Sequence, residues 1–351
     1  MIYAGRVRST GTAFRAIVAI ASALVLLTPH ARAAEPVDRI WFCPGPGTLD
    51  FIDLFQHPEQ WPRARALVNV FKVYQGHTQT PPPSTFLPNS YDALASAGVF
   101  RTLAQWNKKI AIEAGSVKEF YCTPDASGMN ESITNTLNSI RAVQQAGGTV
   151  SYVAMDEPFV SGRSRKCGGP ALEPTADRVA QYVAAVSAAY PNTKIGLIEA
   201  YPFSSEAAIE AIVRLLKARN AAPAFLHMDI DWHLAGGAAF TRDMGQLQSF
   251  AASQGIPFGV IITGYSGAAD SLYALDVGGI VDLMSKTFGS WAHMPDQLIF
   301  QSWAVSPTGQ DIVPNNLPED HPYTHTNMLW QELRRLKGSA GKPAGTAVIR
   351  R

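Results

Sequence analysis

The chain has 351 residues, with 29 Lys and Arg against 28 Asp and Glu, for a formal net charge of +1. That balance argues against a nucleic-acid partner, because neutralising phosphates needs a surplus of Lys and Arg on one face. Charged residues make up only 16% and hydrophobic residues 46%, so a large core is available and a disordered chain is excluded.

Arg6, Arg8 and Arg15 accompany an apolar run from Ala16 to Leu27, and Ala31-Arg32-Ala33 follows with a small-x-small pattern. Residues 1–33 therefore read as a secretory signal, cleaved on export to the periplasm or the cell exterior. The apolar run falls short of the about 20 residues that span a bilayer, so no membrane attachment is expected after cleavage. Residues 34–337 are expected to form one domain, and residues 338–351, rich in Gly, Ala and basic residues, a disordered tail. Of the three cysteines, Cys122 and Cys167 fall in loops expected at one rim. In an oxidising compartment they are expected to pair, leaving Cys43 free. Their spacing carries no zinc signature, and no metal or other cofactor is expected.

Short apolar runs alternate with stretches whose apolar residues recur at threes and fours, the pattern of βαβ units. Strands are expected at residues 39–43, 66–74, 109–113, 149–155, 194–200, 224–231, 257–263 and 297–303. Helices are expected at 91–106, 131–145, 174–189, 205–219, 237–254 and 325–336. The weakest helical stretch, 271–294, mixes short apolar pieces with Gly and Trp. Eight such units predict a single (β/α)8 TIM barrel. The open doubly wound sheet wants a phosphate-binding glycine loop after its first strand. Here Cys43-Pro44-Gly45-Pro46-Gly47 follows, and its prolines remove N–H groups that a phosphate cradle uses.

Barrel sites form at the C-terminal ends of the strands. Strand two ends with Lys72 and Tyr74, then Gln75 and His77; strand three ends with Glu113. Strand four runs into Asp156-Glu157-Pro158, strand five into Glu199-Ala200-Tyr201, and strand eight into Gln301-Ser302-Trp303. In strand six, period two puts His227, Asp229 and Asp231 on one face, expected to look inward, and Leu226, Met228 and Ile230 on the other. Asp229 fits either a structural place near the floor or a site group, and Asp231 lies nearer the mouth.

Asp156-Glu157-Pro158 resembles the strand-four Asn-Glu pair, often followed by Pro, of the largest clan of TIM-barrel glycoside hydrolases. The resemblance implies a poly- or oligosaccharide substrate and Glu157 as acid/base. That clan carries its nucleophilic Glu at the end of strand seven, where this chain reads Ile262-Thr263-Gly264-Tyr265 with no acid. Glycoside hydrolysis needs two carboxyl groups, and crowded acids raise one pKa toward the working pH. The partner of Glu157 is therefore expected on strand five or six, Glu199 first and Asp231 next. Trp232, Trp303, Tyr201 and Phe159 would offer flat faces to sugar C–H groups. Tyr74, Gln301, His233 and Lys72 would bond hydroxyls, and Asp156, Asp229 and Glu113 complete the binding set.

Two other readings stay open. His227, Asp229, Asp231 and His233 suit a metal-dependent hydrolase on the same barrel. A lyase, or a barrel that binds a polysaccharide without cleaving it, would lean instead on Lys72, Tyr74 and His77.

Overall fold

The computed structural model describes residues 38–118, 127–162, 171–307 and 312–338. The expected signal segment, nearly all of the tail, and both Cys122 and Cys167 lie outside these residues. Eight strands pair in parallel in chain order: β1 (Ile40–Cys43), β2 (Val70–Tyr74), β3 (Lys109–Ala114), β4 (Val150–Asp156), β5 (Lys194–Tyr201), β6 (Leu226–Ile230), β7 (Phe258–Ile262) and β8 (Gln297–Gln301). β8 returns to β1, with Cys43 opposite Gln301, and closes a (β/α)8 barrel.

α1 (Asp53–Gln56) and α2 (Pro62–Leu67) follow β1; α3 (Tyr91–Ser96) and α4 (Val99–Gln105) follow β2; α5 (Ser127–Gln145) follows β3. α6 (Pro158–Gly162) and α7 (Leu172–Ala189) follow β4, then α8 (Glu206–Ala218), α9 (Gly237–Gln254), α10 (Asp270–Phe288) and α11 (His325–Gly338) follow the remaining strands. A short antiparallel ribbon, β9 (Ala304–Val305) with β10 (Ile312–Val313), stands between β8 and α11.

Three elements differ from expectation, each for a local reason. The stretch 66–74 is strand only from Val70, because Pro62 sits at the first turn of α2, which runs on to Leu67. The helix expected over 91–106 is broken at Gly98, whose φ of 71° ends α3 before α4 begins. The stretch expected to be weakest contains α10, a helix of 19 residues. Its Tyr273, Val277, Ile280, Met284 and Phe288 are buried at helical spacing, while a Cβ added at Gly278 or Gly279 would meet open space. The glycines thus cost propensity and leave the packed face intact.

Alternation along the strands sorts side chains into two cores. Trp41, Val70, Ala111, Tyr152, Ala154, Ile198, Phe225, Ile261 and Ile299 fill the barrel, and their neighbours in sequence pack on the helices. Trp41, Tyr152 and Phe225 meet ring to ring, with centroids 4.9–5.8 Å apart. Phe225 also occupies the space in front of Gly196, where an added Cβ would lie 2.3 Å from its ring. Overpacking of this kind costs about 1–3 kcal/mol. Gly196→Val is therefore expected to lower the urea midpoint followed by Trp fluorescence; an unchanged midpoint would contradict the packing of this inner ring.

Candidate active site

The inward positions of β2, β3 and β8 place Lys72, Glu113 and Gln301 together above the aromatic floor. The Lys72 ammonium is fully buried and pairs with Glu113, and Gln301 donates to the same carboxylate at 3.1 Å. Burial pulls the Lys72 pKa down, but Glu113 and then Cys43 outweigh it and leave it raised. A buried charge survives only when paired in this way. Tyr74, one step higher on β2, donates to the Ser302 carbonyl at 2.7 Å.

β4 delivers two acids to the mouth. Asp156 has inward parity, lying opposite Ile198 of β5. Glu157 has inherited no strand parity, because its φ of 50° turns the chain. A non-glycine residue in the left-handed region costs on the order of 1 kcal/mol or more and persists only when its surroundings hold it. Here the Glu157 N–H donates to the Ile198 carbonyl at 3.0 Å, and Pro158 opens α6 immediately after. The turn lets both carboxylates reach one ammonium: Lys118 lies 2.9 Å from Asp156 and 3.0 Å from Glu157. Burial works against the Lys118 charge, but the two acids prevail and raise its pKa. Burial, then Glu113, pushes Asp156 up to about 7.

Asp229 completes the group from β6. The residue is half-buried, and its carboxyl has no hydrogen-bond partner among the described residues. Burial raises its pKa well above the usual carboxylate range, and Glu157, Asp156 and Glu113 add to the rise. Tyr265, just past β7, lies close enough that Asp229 also raises its phenol, after burial. The Tyr265 hydroxyl is held by donating to the Ile230 carbonyl at 2.5 Å and accepting from Trp232 N–H at 3.3 Å.

Other expected site residues lie elsewhere. Glu199 falls on the outer face of β5, with Leu197 and Tyr201 of the helix-facing core on either side. Its carboxyl is fully buried beneath α6 and accepts from the Phe159 and Val160 N–H groups at 2.8 and 3.1 Å. Tyr201 turns outward to Asp243 on α9, 2.8 Å away. Asp231 caps a turn, accepting from His233 and Leu234 N–H groups at 3.0 and 3.3 Å. Trp232 packs on Phe240 of α9, and His233 is exposed against the Tyr265 ring. Trp303 is half-buried and packs on the inner core.

His227 sits on the floor bonded to Gln297 at 2.8 Å, so the four candidate metal donors are not brought to one point. Among the described residues, no three His, Cys, Asp or Glu side chains are placed to hold a metal ion.

No family model and no curated relative matches the chain. Solved structures of similar shape do exist. An endo-β-1,6-glucanase superposes with a TM-score of 0.56 at 11% identity, covering 85% of this chain and 76% of its own. A glucosidase from Croceicoccus marinus gives 0.50 at 14% identity, over 86% of this chain and 68% of its own. Active domain 2 of a chitinase from Pyrococcus furiosus gives 0.50 at 11% identity, over 85% and 96%. The chain shares the (β/α)8 TIM-barrel fold of these proteins. At these identities the likeness is one of fold.

Two residues at the mouth escaped the sequence reading. Lys118 lies four residues past β3, in a loop without strand periodicity. Tyr265 lies three residues past β7, where the family resemblance calls for an acid. Position near a strand end was the available signal for both.

Glu199 yields a test of this geometry. Burial raises its pKa to about 8, against the pull of its two N–H partners, whereas an unfolded chain titrates it near 4.3. Between those values the folded state holds a proton that the unfolded state releases, so stability falls as pH rises from about 5 to 8. Glu199→Gln mimics the protonated form and is expected to show a shallower fall in urea midpoint over that range. Glu199→Ala, which strands two N–H groups and opens a cavity, is expected to lose about 2–5 kcal/mol at pH 6.

Proposed function

We propose that this protein is a glycoside hydrolase acting outside the cytoplasm, with Asp229 as proton donor and Glu157 as the carboxylate that meets the anomeric centre. The observation that carries the reading is the contrast between these two acids at one mouth. Asp229 is half-buried, without a hydrogen-bond partner among the described residues, and displaced toward its neutral form; Glu157 is matched to the Lys118 ammonium. Environments that separate two carboxyl groups in this way assign acid and base roles. The glycosidase folds of the structural neighbours agree with it, and the basic, apolar and small-residue sequence of 1–33 supports export.

In this scheme Asp229 protonates the departing glycosidic oxygen. Glu157 stabilises the positive charge developing at the anomeric carbon, directly or by activating a water. Lys118, 3.0 Å from Glu157, holds that carboxyl at the mouth. Asp156 and Trp303 bind the sugar, through a hydroxyl and through an apolar ring face. Glu199, which holds α6 and thereby the Glu157 turn, is a positioning residue in place of the second carboxylate first expected of it.

The lyase reading would use Lys72, Tyr74 and His77 as mobile bases. Lys72 is paired with Glu113, and His77 is buried between the Tyr74 N–H and the Pro46 carbonyl, 3.2 Å from each. Their engagement within the fold favours hydrolysis.

A panel of polysaccharides, assayed by reducing-sugar release and product mass, finds the substrate. On it, Asp229→Asn and Glu157→Gln are each expected to lower kcat/KM by about 10²- to 10⁴-fold, and Glu199→Gln by far less. Wild-type activity is expected to decline on the alkaline side as Asp229 loses its proton. Full turnover by Asp229→Asn, or unsaturated products, would contradict the assignment.

A further inference from the structure

Large apolar side chains that stay exposed are normal when scattered, and informative when gathered. On this barrel they are gathered. Leu49 follows β1, Leu87 follows β2, Phe203 follows β5 and Leu234 follows β6, all more than half exposed. Leu272 and Leu275 stand in the first turns of α10 after β7, and Val305 and Tyr323 lie between β8 and α11. Every one of these belongs to a segment that leaves the C-terminal end of a strand. Among the described residues, the opposite face of the barrel carries no exposed large hydrophobic side chain. Its main cleft, about 460 Å³, is lined instead by Asp38, Asn69, Asn107, Lys108 and Lys109.

The apolar groups come from loops after six of the eight strands, with none after β3 and β4 among the described residues, so they line most of the rim of the opening. Two clefts reinforce the ring. One of about 260 Å³ lies among Trp232, Tyr265, Leu275, Ile280 and Leu283. Another, of about 230 Å³, lies among Leu49, Pro88, Val305 and Ile312. The ribbon of β9 and β10 that carries Val305 is held down on the β7 side, where Gly267 passes so close that an added Cβ would lie 1.7 Å from the Val305 carbonyl oxygen.

We infer that this ring seats the barrel mouth on a lipid surface, and that the substrate is a sugar borne on an apolar anchor, a glycolipid. The inference rests on the mouth being a sugar site. An apolar rim around most of an opening is matched by a plane, and apolar side chains gain by entering the interfacial layer of a bilayer or micelle. A sugar projecting from that plane enters the mouth toward Asp229 and Glu157 while its apolar anchor stays with the ring. A second copy seated on the same ring would close the mouth, so it fits the acids within less well.

Flotation of the full chain with phosphatidylcholine vesicles tests this. These vesicles carry no net charge, so apolar contact decides the outcome. Wild type is expected to float, and the Leu49→Ser/Leu234→Ser/Leu275→Ser variant to show a bound fraction lower by at least about fivefold. The apolar run at 16–27 is common to both proteins, so the difference reads the ring, and far-UV circular dichroism establishes that the variant is folded. Wild type that stays at the bottom, or a variant that floats equally, would overturn the inference. So would a wild-type dimer in sedimentation that the variant dissolves while neither protein binds vesicles. Asp229→Asn is expected to float like wild type, which separates failure of the ring from failure of the hydrolase reading.

Discussion

Four carboxyl groups, those of Glu113, Asp156, Glu157 and Asp229, share the barrel mouth and the tier beneath it with two ammonium groups, Lys72 and Lys118. Desolvating a carboxylate without a partner costs several kcal/mol, so the interior cannot hold all four in the charged form at low cost. Lys72 is spent on Glu113, and Lys118 is divided between Asp156 and Glu157. Asp229 is left without an ammonium of its own. Burial raises the pKa values of Asp229 and Asp156, and the neighbouring carboxylates add to the rise.

The barrel creates the imbalance through parity. Period two along each strand sends every second residue inward, so Lys72, Glu113, Asp156, Asp229 and Gln301 meet although six helical connections separate the first from the last in the chain. Glu157 joins them only because the chain reverses its hand at that residue, and the outward-facing Glu199 secures the helix that follows. One acid on the wrong face of β5 therefore serves the acids on the right face of β4. Its effect on them passes through backbone, by fixing where α6 starts.

Much of this was legible in the amino-acid sequence. The eight strands, the inward face of β6 and the double acid closing β4 all follow from short-range patterning, which depends on neighbours two residues apart. Glu199, expected at the mouth, lies on the outer face of β5 for the same reason. Counting from the strand end put Glu199 at the mouth, whereas counting parity from Ile198 puts it outside. Asp231 has the right parity, but β6 ends at Ile230 and the carboxylate is consumed by the turn that follows. Lys118 was invisible because its role depends on a loop conformation that no periodicity encodes. The glycines of α10 hid a helix whose buried face was intact.

The central claim is that the folded protein raises the Asp229 carboxyl well above the usual carboxylate range. The most direct measurement is the side-chain carboxyl carbon resonance of Asp229 in ¹³C-labelled protein, assigned by its loss in Asp229→Asn and followed from pH 3 to 9. The account predicts a titration midpoint well above that of a free aspartate, about 3.9. A resonance that titrates at the free-aspartate value would contradict it.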